Sequence, residues 1–143
     1  MARILIIDDQ PEVREVMQRI LTGAGYQVEV AAGGDIGIRL HEQQPFDLIM
    51  TDLVMPDKEG IETIMEIRRS DRKVKIIAIS GFIDSPYLDT ARHLGANRIL
   101  PKPCSRQVIL ETVRDLLVES PPPSPPAQAS ATSTVSTALQ AAG

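Results

Sequence analysis

The chain has 143 residues, 43% of them hydrophobic, which is enough for one packed core with some length to spare. Its 15 basic and 19 acidic residues are interspersed and sum to a net charge of −4, without the basic face that direct nucleic-acid binding by this domain would need. No apolar run approaches the ~20 residues of a membrane-spanning helix, and the opening MARILIIDD turns acidic too early for a signal peptide, so the expected location is the cytoplasm, with no membrane as partner.

The single Cys104 excludes an internal disulfide and a cysteine-based zinc site. In chain order, the first predicted element is a strand at residues 4–7, short and unbroken in apolar character, as strands covered on both faces of a parallel sheet are. It runs straight into Asp8 and Asp9. Val13, Val16, Met17, Ile20 and Leu21 then recur on one helical face, with Pro11 near the first turn and Gly23 and Gly25 past the end. A second strand at 27–30 leads to Ala32 with nothing polar, the pattern of a strand at the sheet edge, and a helix follows Asp35. The third strand, 48–51, delivers Asp52 where it emerges. Ile61, Ile64, Met65 and Arg68 outline the next helix. The fourth strand, 75–80, ends on the Ser80 hydroxyl, and a helix over about 85–94 is closed by Gly95. A fifth strand at 98–100 precedes Pro101 and Lys102, and Val108, Ile109, Thr112, Val113, Leu116 and Leu117 mark the face of a last helix.

After Glu119 the composition changes. SPPPSPPAQASATSTVSTALQAAG carries no charged residue and is almost entirely Pro, Ser, Ala and Thr. Its prolines stop a helix, and its large apolar surface is too small to offset ordering. The expected organisation is a folded unit at 1–119 and a disordered tail or linker at 120–143. No helix-turn-helix or catalytic domain follows, so the sequence reads as a stand-alone protein with a tail or as the front of a longer one.

Alternating strands and helices predict an α/β fold, a doubly wound parallel sheet with right-handed crossovers and helices on both faces. Such sheets bind ligands outside the carboxyl ends of the strands, where strand order reverses. The residues reaching that rim are Asp8, Asp9, Asp52, Ser80 and Lys102. Three neighbouring carboxylates repel one another and either take up protons or hold a cation. With no His or Cys among them, the cation expected is Mg²⁺, which keeps several waters and takes one or two carboxylates plus a phosphate. Lys102 can neutralise a phosphoryl oxygen, Ser80 can donate to another, and a remaining carboxylate can attack phosphorus to give an acyl phosphate.

ILIIDDQPEVREVM, FDLIMTDLVMPDKEG, IIAISG and ILPKP, in this order and spacing, resemble the receiver domain of bacterial two-component response regulators (CheY-like) over about residues 1–118. The resemblance implies a (βα)₅ flavodoxin-like fold with strand order 2-1-3-4-5. It implies that Asp52 is the phosphoacceptor and a metal ligand, that Asp9 binds Mg²⁺ directly and Asp8 partly through water, and that the Val54 backbone carbonyl completes the protein ligands. Ser80 becomes the hydroxyl that follows the phosphoryl group, Lys102 its ion partner, and the Lys102–Pro103 bond is expected to be cis. Implied partners are a sensor histidine kinase or a histidine phosphotransfer protein and an output partner that the sequence does not name; dimerisation is left open. The chain is then a switch and not an enzyme, catalysing only its own phosphotransfer and slow dephosphorylation.

Two features depart from or qualify the family pattern. Ile99 stands at the switch position where Tyr or Phe is usual, so the aromatic part of the switch is missing. Val54 and Phe82, which tune phosphate loss in the family, are both apolar, and slow intrinsic dephosphorylation is expected.

Each residue has a plainer reading alone. Asp8 or Asp9 could cap the helix at Pro11, Asp52 could open a turn, Ser80 could be loop chemistry and Lys102 surface. Asp47 lies at the opposite rim, Asp57 and Glu59 suit a turn and helix start, His41 and His93 read as surface residues, and Cys104 as structural or neutral. Joint placement at four strand ends outweighs those readings. A receiver-like scaffold that binds partners without phosphorylation is one rival, disfavoured by the intact acidic set. A haloacid-dehalogenase-type phosphatase is another, disfavoured because its D-x-D motif is absent from IIDDQ.

Overall fold

The computed structural model of the chain describes residues 2–53, 60–81 and 86–119. Five strands, β1 (Arg3–Ile7), β2 (Gln27–Ala31), β3 (Leu48–Asp52), β4 (Lys75–Ser80) and β5 (Arg98–Pro101), alternate with five helices. These are α1 (Pro11–Gly23), α2 (Gly34–Gln43), α3 (Gly60–Ser70), α4 (Pro86–Leu94) and α5 (Arg106–Glu119). All strand pairs are parallel, in the order β2-β1-β3-β4-β5. This is the expected 2-1-3-4-5 flavodoxin-like order, and it reverses between β1 and β3, where a ligand crevice belongs.

Period-two alternation divides the core between the sheet faces. Leu5, Ile7, Ile49, Ile76 and Ala78 face Ile64, Ile67 and Ala91 of α3 and α4, with Ile38 and Leu40 of α2 packed alongside. Ile4, Ile6, Leu48, Met50, Ile77 and Ile79 face Met17 and Leu21 of α1 and Ile109, Val113 and Leu116 of α5. Burial on both sides explains why β1, β3 and β4 are almost unbroken apolar runs, whereas β2 at the edge alternates with exposed Gln27 and Glu29.

Three positions assigned to buried helix faces turn outward. Val16, Met65 and Val108 are exposed, and the next or nearby positions Met17, Ile67 and Ile109 are the ones that enter the core. A stripe only about 100° wide leaves its edge residues in solvent. Glycines set two close approaches: a Cβ on Gly37 would fall on the Ile7 side chain, bringing α2 down on β1, and Gly25, with φ of 100°, takes the left-handed turn that ends α1.

His41, expected at the surface, is buried at the end of α2. Its Nδ1 accepts the Phe46 backbone N–H at 3.0 Å, which leaves Nε2 to donate to Asp71 Oδ2 at 2.9 Å. Burial follows because the ring fills the gap between α2 and the loop after α3 with both nitrogens engaged. Arg68 braces the same side, donating to the carbonyls of Gly95, Asp71 and Val74. The expected tail at 120–143 lies outside the described residues, as do Val54, Asp57, Glu59 and Phe82. No helix among the described residues is long and apolar enough to cross a membrane.

Candidate functional site

The crevice between β1 and β3 is acidic. β1 ends at Ile7, and the Asp8 backbone N–H still reaches the Ala31 carbonyl of β2 at 3.1 Å, so Asp8 is held by the edge of the ladder. β3 ends on Asp52, whose register partner is Ile79 of β4, and Thr51 Oγ donates to the Asp52 carbonyl at 3.0 Å. One carboxylate oxygen from each of Asp8, Asp9 and Asp52 lies within 4.8 Å of the others. Asp8 and Asp52 are buried and Asp9 is half-buried.

Lys102 brings the opposing charge from the far side of the sheet. Its backbone N–H bonds the Ser80 carbonyl at 2.9 Å, carrying the chain one residue beyond β5, and the Lys102–Pro103 bond is cis. The ammonium Nζ reaches Asp52 Oδ2 at 3.0 Å and Asp8 Oδ2 at 3.1 Å. Its third hydrogen bond, at 3.1 Å, goes to the amide oxygen of Gln10. Burial works against the ammonium, but the hydrogen bonds and negative charge of Asp52 and Asp8 outweigh it and raise the Lys102 pKa above the ordinary lysine value.

Ser80 is buried at the end of β4, one position past the partner of Asp52. Ile99 is half-buried on β5 opposite Ala78 and packs against the α2–α4 side of the core, away from the face covered by α1 and α5. The Val54 carbonyl lies outside the described residues. Asp47 is at the opposite rim, where it accepts the Arg3 backbone N–H at 2.8 Å. Burial pushes the Cys104 thiol up, against the opposing hydrogen bond from the Ser105 backbone, so it is not an activated thiolate.

Gln10 was not legible as a site residue. It occupies the N-cap of α1 without capping the helix through its side chain, and its own N–H bonds Asp8 Oδ1 at 2.9 Å. The only sequence signal was its position directly after the acidic pair.

The donor set suits a hard divalent cation. It consists of three carboxylates with neither sulfur nor imidazole, two of them buried at a separation where like charges require a counter-charge, and among the described residues the Lys102 ammonium bonds two of the three.

The family model for the response regulator receiver domain matches residues 4–114. A response regulator receiver protein of Anaeromyxobacter is 33% identical over 78% of this chain and 47% of its own length. The chemotaxis protein CheY of Treponema pallidum is 30% identical over 80% of this chain and 82% of its own. Sensor kinase CckA of Brucella abortus is 31% identical over 81% of this chain, which spans 12% of that kinase. The chain thus covers under half of some curated relatives. Among solved structures, response regulator TrrA of Thermotoga maritima, in complex with Mg²⁺-BeF, has a TM-score of 0.75 and 28% identity, over 81% of this chain and 99% of that one. Sequence match and fold agree over one span, and the chain belongs to the family of response regulator receiver domains of two-component systems.

Proposed function

We propose that this chain is a phosphorylation-dependent switch that accepts a phosphoryl group on Asp52 from a histidine kinase or phosphotransfer protein. The observation that carries this reading is the Asp52 carboxylate itself, buried at the sheet crevice, grouped with Asp8 and Asp9 and bonded to Lys102 at 3.0 Å. An Asp52 oxygen attacks phosphorus, the phosphorus–nitrogen bond of phosphohistidine breaks, and its electron pair returns to the imidazole. The product is an acyl phosphate on Asp52. Lys102 balances a phosphoryl oxygen as a point charge, and the Ser80 hydroxyl moves to donate to another.

Asp9 and Asp52 would hold Mg²⁺ directly, Asp8 partly through water, and the Val54 carbonyl would add a further ligand. When bound, the ion supplies positive charge against the oxygens of the transferring group. Readout belongs to the face running from Ser80 through β5. Because Ile99 brings no aromatic ring to that face, movement there rests on Ser80 and Lys102. Val54 and Phe82 are apolar and offer water no hydrogen bond from their own side chains, which supports slow decay of the phosphorylated form. Relatedness to a sensor kinase as well as to CheY supports a kinase as donor.

The test is intact mass after incubation with Mg²⁺ and a small acyl-phosphate donor, beside Asp52→Asn and a chelated sample. Gain of one phosphoryl group only in the wild type with metal is the expected outcome. A folded wild type that gains nothing from acyl-phosphate and phosphohistidine donors alike would overturn the reading in favour of an unphosphorylated scaffold.

A further inference from the structure

The Lys102 ammonium has three hydrogens and, in this structure, three side-chain acceptors, Asp52, Asp8 and Gln10. Two of these are carboxylates that a divalent cation also needs. Asp8 and Asp52 cannot give the same oxygens fully to an ammonium and to a doubly charged ion, and the two cations repel each other. Gln10 is different: its amide oxygen is neutral, sits at the exposed mouth of the crevice and is not one of the grouped carboxylates. It is also tied to the site, because its backbone N–H is anchored on Asp8 Oδ1 at 2.9 Å and Pro11 restricts the chain immediately after it.

We propose that Gln10 is a positioning residue that keeps the Lys102 ammonium in place when Asp8 and Asp52 turn to a divalent cation, and so strengthens metal binding without contacting the metal. This rests on the reading of the acidic cluster as the Mg²⁺ and phosphoryl site. The effect requires the Gln10 bond to matter more with the cation than without it, since only a difference between the two states shifts an equilibrium. That difference follows from the count of acceptors. Without the cation, Gln10 is the weakest of three partners, an amide oxygen beside two carboxylates. Once the carboxylates turn to the ion, Gln10 is the one of these three acceptors, among the described residues, for which the cation does not compete.

The test is Mg²⁺ affinity measured by calorimetry on the unphosphorylated chain, for wild type, Gln10→Met, Lys102→Met and the double variant. Methionine keeps the length of glutamine and removes the acceptor. Gln10→Met is expected to weaken Mg²⁺ binding by about threefold to tenfold, the size of one net hydrogen bond. In the Lys102→Met background, where no ammonium needs holding, the same change should have no effect. Lys102→Met alone is expected to tighten binding, because it removes the competing cation. An equal loss in both backgrounds would mean that Gln10 acts on the metal or the local fold directly, and no loss in either would mean that it has no role; each overturns the proposal. Should the folded wild type bind no Mg²⁺ at all, the reading of the cluster fails first and this proposal with it.

Discussion

Single residues at the rim opposite the acidic crevice carry a stabilising network with its own pH dependence. Asp71 accepts the backbone N–H groups of Lys73 and Val74 at 2.8 and 3.0 Å through one oxygen and faces His41 Nε2 with the other. Partial burial opposes its charge, but the bonds from Val74, Lys73 and His41 outweigh it and hold the carboxyl below the usual carboxylate range. A carboxyl with a lower pKa folded than unfolded stabilises fully above the unfolded value and loses that contribution as pH falls through the folded one. Asp71→Asn should therefore have a lower urea midpoint than wild type at pH 7, with the gap narrowing as pH drops below the ordinary aspartate value of about 3.9. Equal midpoints at pH 7 would show that the carboxylate charge contributes nothing there.

At the level of elements, α3 begins where β3 has just delivered Asp52. Gly60, the first residue of α3, is buried and donates its N–H to the Leu53 carbonyl at 2.9 Å. A Cβ there would press on the Asp52 carbonyl oxygen and on Leu53 Cα, both backbone atoms that cannot step aside as a side-chain tip can. Gly60→Ala must therefore move α3 away from β3 or displace Asp52, and overpacking of this kind costs about 1–3 kcal/mol. The expected outcome is a lower urea midpoint together with slower phosphoryl uptake in the mass assay. Unchanged uptake at reduced stability would place the whole adjustment in the helix.

For the whole molecule, the two core clusters and all ten described elements fall within residues 2–119. We propose that this unit folds without the Pro/Ser/Ala-rich segment after it. Truncation after Glu119 is expected to leave the free energy of unfolding in urea within about 0.5 kcal/mol, the ordinary range for changes outside a core, and to leave phosphoryl uptake unchanged. A larger loss would mean that residues 120–143 pack on the domain.

Alternation of apolar strands and amphipathic helices, the acids where β1 and β3 end, and Lys102 after β5 were all legible from sequence. The reason is physical: strands buried on both faces must be short apolar runs, and parallel topology forces their carboxyl ends to one rim. Tertiary structure decided which edge residues of each helical stripe are covered, since Val16 and Met65 match the period as well as Met17 and Ile67 do. It also decided the burial of His41, whose partner Asp71 is 30 residues away, and the place of Gln10 beside a lysine 92 residues away. Local pattern carries the period of an element and the chemistry at its end; a contact between residues so far apart exists only once the chain has closed on itself.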